Sequence, residues 1–308
     1  MSRASPQDRL LPDDVWLPAV ARRLGGQVTV TGHGLLDGGS VAAAVQRVDL
    51  DVDGRATAVV VKPATAAEVA AMRALAVVID LERPRLLAVG PDWLVLPYYD
   101  GMPLAEGPQV PAEVWSALAR VHAHWLGKRP RGLPVVDAAW WRRQCLDRIR
   151  PAALGAGERT GDPVYGEVAE ALGAWAEDPR IRLALGVVPR TLIHGDAHRG
   201  NILVGPDGAV LVDWGNARVA PAGVDLAVLR AQGATDLTTY RTLFAELTGG
   251  GPGPEPAEVE RCLSEVYAPV GYLGFAADHL GAARVAELAA MAERALSELG
   301  PALAAFRR

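Results

Sequence analysis

Cysteine is scarce in this sequence, lysine nearly absent, and no long apolar run occurs. The 308 residues include only two cysteines, Cys145 and Cys262, which are far apart and lie in no partner motif. Their placement gives neither a zinc pattern nor a disulfide framework. No uninterrupted apolar stretch reaches the roughly 18 residues of a membrane span. Residues 1–11 carry Arg3, Asp8 and Arg9 and lack an apolar core of signal-peptide length, so a cytoplasmic protein off the membrane is expected. Long basic runs are also missing and the net charge is −5, which argues against a nucleic-acid partner. A mild acidic excess would suit a cationic substrate, although net charge speaks mainly to solubility. Of 31 lysines and arginines, only Lys62 and Lys128 are lysines. Where a generic positive charge is enough the chain uses arginine, so a lysine inside an apolar strand stands out.

Half of the residues are hydrophobic and 22% are charged, the balance of a packed globular protein long enough for two lobes. Residues 13–24 read as a short amphipathic helix, with Val15, Val20 and Leu24 on one face and Asp13 or Asp14 as cap. Strand-like runs follow at 27–31, 41–51 and 55–62. A glycine-rich turn at 32–40 joins the first two, and Asp53–Gly54 marks a hairpin between the second and third. A helix is expected over 65–78, then strands at 86–89 and 93–97. Beyond Tyr98–Tyr99 the pattern turns helical. Val114, Leu118, Val121 and Trp125 form one apolar stripe within 111–126, and further helices are expected near 137–150, 163–177, 223–232, 238–247, 255–267 and 281–298. Short strands interrupt them at 191–193, 202–204 and 210–212, and a Gly/Pro-rich loop covers 249–256. The expectation is an α+β fold with an antiparallel sheet lobe over 1–98 and a mostly helical lobe over 99–308.

The segment LIHGDAHRGNILVGPDGAVLVDWGN, residues 192–216, carries the chemistry. An apolar strand leads into His194–Gly195–Asp196, so Asp196 sits at a strand exit in a turn that Gly195 permits. Asn201 follows five residues on, before a second apolar run. The Pro-Asp-Gly turn at 206–208 then reverses the chain, and a third run delivers Asp213. The hairpin brings Asn201 and Asp213 to the same end of adjacent strands. Magnesium takes hard oxygen ligands, few of them from protein, and Asn201 and Asp213 suit it. Asp196 suits a base that accepts a hydroxyl proton. Phosphoryl transfer needs such positioning and charge neutralisation.

These residues resemble the aminoglycoside phosphotransferase and choline kinase group, relatives of protein kinases with the same two-lobed fold. The group's catalytic loop reads HGD-L-H-P-G-N followed by Asp-Trp or Asp-Phe. Here HGDAHRGN occupies 194–201 and Asp213–Trp214 follows, with departures at Ala197 and Arg199. Residues 119–123 (Ala-Arg-Val-His-Ala) and 224–227 (Val-Asp-Leu-Ala) are similar to two further segments, and in the second the Asp is usually structural. A protein kinase would carry Arg at Gly195 and an Ala-Pro-Glu segment, so that relationship is distant. A non-catalytic, kinase-like binding protein would have lost a principal residue, and Lys62, Asp196, Asn201 and Asp213 are all present.

The resemblance implies a kinase that moves the γ-phosphate of ATP or GTP, with Mg2+, onto a hydroxyl of a small molecule. The acceptor would be an aminoglycoside or other amine-bearing antibiotic, or else a sugar, an amino alcohol, choline or homoserine. A monomer or a homodimer is expected. By the same resemblance Lys62 contacts the α- and β-phosphates, and Glu68 pairs with it. Thr65 and Glu68 also spell a capping box, and the sequence leaves these two readings open. Gly38, Gly39 and Ser40 would fold over the phosphates, while Pro97, Tyr98 and Tyr99 would meet the base through backbone groups. Histidines 194 and 198 are read as bracing the loop, and His122 as a core residue. For the acceptor, Trp214, Trp141, Glu265 and Asp278 are candidates, with Asp137, Trp140, Tyr267 and Tyr272 behind them, since amines call for carboxylates or aromatic walls.

Overall fold

The computed structural model describes residues 10–36, 45–251 and 253–307. Helix α1 (Asp13–Leu24) leads into strands β1 (Val28–Leu35), β2 (Gln46–Val52) and β3 (Arg55–Pro63). Helix α2 (Ala66–Leu75) follows, then β4 (Ala88–Val89) and β5 (Trp93–Pro97). The strands form one antiparallel sheet in the order β1-β2-β3-β5-β4. Asp53 and Gly54 both adopt positive φ (51° and 83°), the conformation a two-residue hairpin requires, and Val52 pairs with Arg55 across it. Strand alternation turns Val59 and Val61 into a core with Val48, Leu50 and Val95, so Lys62 faces the opposite side of the sheet. Trp16 and Val20 of α1 cover the first face and are fully buried. The apolar face expected for α1 is corrected accordingly. Val15 and Leu24 are exposed, Pro12 stands at the N-cap without a side-chain cap, and Asp13 instead meets His33 at 3.0 Å.

From β6 (Met102–Pro103) onward the chain is mostly helical. It runs through α3 (Ala112–Trp125), α4 (Ala138–Arg143), a π-helical turn (Gln144–Ile149), α5 (Arg150–Thr160), α6 (Pro163–Ala176) and α7 (Pro179–Val187). Strands β7 (Thr191–Ile193), β8 (Ile202–Gly205), β9 (Gly208–Leu211) and β10 (Arg218–Ala220) come next. Helices α8 (Gly223–Ala231), α9 (Thr238–Thr248), α10 (Pro254–His279) and α11 (Ala282–Phe306) complete the fold. β8 and β9 form the expected hairpin, with β6 added to its edge, and β10 pairs with β7.

Three helical expectations need correction, and in each the helix passes a proline. The helix expected to stop near 150 continues through α5. Proline in a helix lacks an N–H donor and crowds the carbonyl four residues back, and the wide π-turn at Gln144–Ile149 directly before Pro151 loosens that register. The helix expected over 255–267 crosses Pro269 and ends at His279, because Val266, Val270, Leu273 and Ala276 bury one continuous face. Helix α11 likewise passes Pro301 to reach Phe306. Helix α7 was not expected from the sequence, and α2 ends at Leu75 rather than 78.

A joint core connects the sheet to the helices. Val69, Met72 and Leu75 of α2 and Leu94 of β5 cluster with Val114, Leu118 and Val121 of α3 and with Ile202, Leu211 and Trp214. None of the helices is long and apolar enough to cross a membrane among the described residues. Leu118 is fully buried in the joint core, and Leu118→Ala is expected to cost about 3 kcal/mol through lost burial and a residual cavity. Urea unfolding should show that loss as a lower midpoint at unchanged slope.

Candidate active site

The loop after β7 is held by one buried carboxylate. Asp225, on α8, is inaccessible to solvent. Its Oδ2 accepts the His194 amide at 2.7 Å and its Oδ1 accepts the Gly195 amide at 2.9 Å. His122 Nε2 donates to Oδ2 at 3.3 Å, and His122 Nδ1 accepts from the Tyr240 hydroxyl at 2.9 Å. Burial alone would raise the Asp225 carboxyl. The hydrogen bond from His122, with that from the His194 amide, outweighs burial and holds it below the ordinary carboxylate range. Burial also lowers the pKa of His194, against the nearby carboxylates. As a neutral imidazole it donates from Nε2 to the Val212 carbonyl at 2.8 Å and accepts the Asp196 amide at Nδ1 at 3.2 Å. His194 thereby ties the loop to the segment between β9 and Asp213.

Gly195 has φ +78°, and a Cβ there would stand 2.3 Å from the Asn216 carbonyl oxygen. The turn therefore requires glycine for both conformation and space. It exposes Asp196, whose Oδ1 accepts from the Tyr272 hydroxyl at 2.7 Å and whose Oδ2 accepts from Asn216 Nδ2 at 3.3 Å. Burial and the Asp196 charge raise the Tyr272 phenol, so it remains a donor. Asn201 donates from Nδ2 to the Asp196 carbonyl at 2.9 Å, which leaves its Oδ1 as the free acceptor. The backbone of the hairpin places it beside Asp213: Ile202 pairs with Leu211, and the Val212 amide donates to the Asn201 carbonyl at 2.8 Å. Asp213, two residues past the end of β9, adopts a left-handed backbone (φ 62°), uncommon for a non-glycine residue.

Lys62 reaches across to this group. Its Nζ lies 2.7 Å from Glu68 Oε1 and 3.3 Å from Asp213 Oδ1. Burial alone would lower the Lys62 ammonium, but the charges of Glu68 and Asp213 outweigh it and raise its pKa. Of the two readings of Glu68 the lysine partner is the one its carboxylate takes, at 2.7 Å from Lys62; only half of the capping box forms, the Glu68 amide donating to the Thr65 hydroxyl at 3.1 Å. One ammonium among two carboxylates leaves a net negative charge next to the free amide oxygen of Asn201. That hard-oxygen, negatively charged donor set fits a divalent cation whose other ligands come from phosphate and water.

A cavity of about 570 Å³ opens beside Asp196, within the usual range for small-molecule sites. Trp140, Trp141, Tyr267 and Tyr272 line it as aromatic candidates, together with Asn216, Arg218 and Arg148. The other acceptor candidates are not brought there. Trp214 is buried in the joint core, edge-on to His194, with its Nε1 donating to the Leu211 carbonyl. Glu265 is held by Arg230 at 2.9 Å and Arg261 at 2.5 Å, and Asp278 by Arg159 at 3.0 Å. Asp137 caps α4 through the Trp140 amide. Of the residues expected to meet the base, Pro97 has no amide and the Tyr98 amide donates to the Ala58 carbonyl at 2.9 Å. The Tyr99 hydroxyl accepts the Arg85 amide at 2.8 Å. Gly38, Gly39 and Ser40 lie outside the described residues.

Sequence reasoning missed Asn216, Arg218 and Arg199. The first two lie in a stretch of unremarkable composition just past Asp213. Arg199, where the resembling family often has proline, is buried and binds the carbonyls of Ala105 (2.6 Å), Gly107 and Gln232 (3.1 Å). Its departure from the family pattern was the only signal available.

The model of a phosphotransferase enzyme family matches residues 43–259. None of the curated proteins matches the sequence significantly. Among solved structures, the chain is similar to a protein of Thermobifida fusca provisionally described as a fructosamine-3-kinase, at 23% identity and TM-score 0.56, covering 90% of this chain and 97% of that one. It is similar to choline kinase from Cryptosporidium parvum at 13% identity and TM-score 0.55, covering 90% and 88% of the two chains. A macrolide 2'-phosphotransferase from Brachybacterium faecium has 20% identity and TM-score 0.50, with 91% and 98% covered. The likeness is one of fold, an antiparallel sheet followed by a largely helical part.

Two substitutions test the loop. Gly195→Ala is expected to cost about 2 kcal/mol from left-handed strain and the clash with Asn216, measured by thermal unfolding. Asp225→Asn places an amide donor against N–H donors and is expected to cost about 3 kcal/mol at pH 7. The folded carboxyl lies below its unfolded value, so its contribution is complete above the unfolded pKa of about 3.9 and is lost as pH falls through the folded one. Urea titrations of both proteins should therefore converge in stability at acid pH.

Proposed function

The chain belongs to the phosphotransferase enzyme family, and on that premise we propose that it transfers the γ-phosphate of ATP or GTP to a hydroxyl of a small molecule bound in the cavity beside Asp196. The observation that carries the reading is the position of Asp196. Its carboxylate lines the cavity while its carbonyl holds the Asn201 amide, one hairpin strand from Asp213 and Lys62. A base at the acceptor side thus adjoins an anion-and-metal site on the nucleotide side. The reading divides the chain into two lobes, residues 1–98 and 99–308, with the nucleotide between them.

In this reading Asp196 takes the acceptor hydroxyl proton as that oxygen bonds to the γ-phosphorus. The bond from the γ-phosphorus to the β–γ bridging oxygen breaks, and the nucleoside diphosphate leaves with the electron pair. Tyr272 and Asn216 keep both Asp196 oxygens fixed, which holds the base in one geometry for attack. Lys62, positioned by Glu68, pairs with the α- and β-phosphate oxygens. Asn201 and Asp213 would hold a magnesium ion, which would supply neutralisation of the triphosphate charge.

The acceptor is unidentified, so the test uses a panel of sugars, amino alcohols, hydroxy acids and aminoglycosides with ATP and magnesium. Acceptor-dependent ADP release is expected for one class. Asp196→Ala should lower that turnover by about 10²- to 10⁴-fold and leave nucleotide affinity nearly unchanged. Asp213→Ala should also weaken magnesium-dependent nucleotide binding, read by calorimetry. Full turnover in Asp196→Ala would contradict the assignment of the base.

A further inference from the structure

The charge of the acceptor cavity is opposite to what the acidic composition suggests. Asp196 is its one acidic lining residue, and two arginines, Arg148 and Arg218, share the space with it. The carboxylates that would have received an amine-bearing acceptor, Glu265 and Asp278, are held in ion pairs elsewhere. Neither Arg148 nor Arg218 forms an ion pair among the described residues, whereas arginines 47, 120, 142, 159, 180, 230, 261 and 284 do.

Arg218 is half-buried and held in place without a counter-charge. β10 pairs with β7 at Arg218 and Ile193, which sets the side chain beside the catalytic loop. Its Nε donates to the Asn216 carbonyl at 2.7 Å, Nη1 to the Tyr267 hydroxyl at 3.1 Å and Nη2 to Asn216 Oδ1 at 3.4 Å. The guanidinium carbon lies 5.4 Å from the centre of the Trp140 ring, which itself stacks on Tyr267 at 5.7 Å and 13°. Three neutral acceptors thus orient the fork, and two of its five N–H groups remain for a ligand. A fixed, partly desolvated guanidinium with two free donors matches the two oxygens of a carboxylate.

We propose that the acceptor is a hydroxy-carboxylate with a flat or apolar body, its carboxylate on Arg218, its hydroxyl at Asp196 and its body against the Trp140–Tyr267 stack. This rests on the phosphotransfer reading above. The two recognition points are one side-chain amide apart, since Asn216 bonds to Asp196 through Nδ2 and to Arg218 through Oδ1. The hydroxyl and carboxylate of the ligand are therefore separated by one ring or a short carbon chain. Arg148, exposed on the π-turn, adds a second positive charge at the rim. Cationic acceptors face two guanidinium groups and lack a free carboxylate other than the base.

The test uses three ligands that differ only in charge: 4-(hydroxymethyl)benzoate, its neutral carboxamide and its cationic aminomethyl analogue. Their affinities for the full chain are measured by calorimetry in the presence of magnesium and a non-hydrolysable ATP analogue, and phosphate-ester formation is followed with ATP. The carboxylate is expected to bind about ten- to a hundredfold more tightly than the carboxamide, and the amine more weakly than either. Arg218→Gln should erase the preference while leaving the Kd of the nucleotide within about twofold, and Arg148→Gln, on an exposed side chain, should reduce it about threefold. Equal or tighter binding of the amide or amine overturns the proposal, as does a preference that survives Arg218→Gln, a loss of nucleotide affinity in that variant, or binding of none of the three. Failure of the phosphotransfer reading is distinct: the wild-type protein would bind the carboxylate with the same preference but neither bind magnesium nucleotide nor form an ester.

Discussion

A carboxylate with no access to solvent organises this site. Asp225 gathers two consecutive amides of the loop and the imidazole of His122, so three elements (α3, α8 and the end of β7) are fixed around one charge. Removing a buried charge from water is costly, and only well-aligned donors on both oxygens offset it. That requirement restricts the loop to one shape. Once the amides of residues 194 and 195 are pinned, Gly195 must turn with positive φ, His194 must reach the Val212 carbonyl, and Asp196 must point into the cavity. The position of Asp196 thus follows from a residue that does not line the cavity.

The cluster around Lys62 rests on a different balance. Lys62, Glu68 and Asp213 bring one positive and two negative charges into a partly buried cluster. Among the described residues the other ion pairs are made by arginine or histidine, and the compact ammonium appears where one point charge must sit between two carboxylates. The surplus negative charge and the free oxygen of Asn201 are suited to a hard divalent cation. In the cavity beside Asp196 the charge reverses, because Arg148 and Arg218 line it while Glu265 and Asp278 of α10 are held by other arginines. Two neighbouring sites of opposite character meet at Asp196.

Much of this was legible from local signals. The Asp53–Gly54 hairpin, the apolar strands around residues 192–212 and the lone strand lysine each arise from chemistry within a few residues of chain. The convergence of Asn201 and Asp213 followed from a turn signal between two apolar runs. What the sequence concealed came from long-range packing. The helices expected to stop near 150 and 267 are carried past Pro151 and Pro269 by a π-turn and a continuous buried face, and α10 beyond Pro269 is what delivers Tyr272 to Asp196. Glu265 and Asp278 looked available because nothing local reveals the arginines that hold them. Trp214 adjoins the Asp213 motif in sequence, but the turn sends its indole into the joint core.

The central claim is that a hydroxyl in the cavity attacks a γ-phosphate held across Asp196. Phosphorus-31 spectroscopy of the protein with magnesium ATP and the acceptor pool reads that transfer directly. The account predicts ADP and a new phosphate monoester in equal amounts. Release of inorganic phosphate without an ester, under conditions where ATP is consumed, would contradict it.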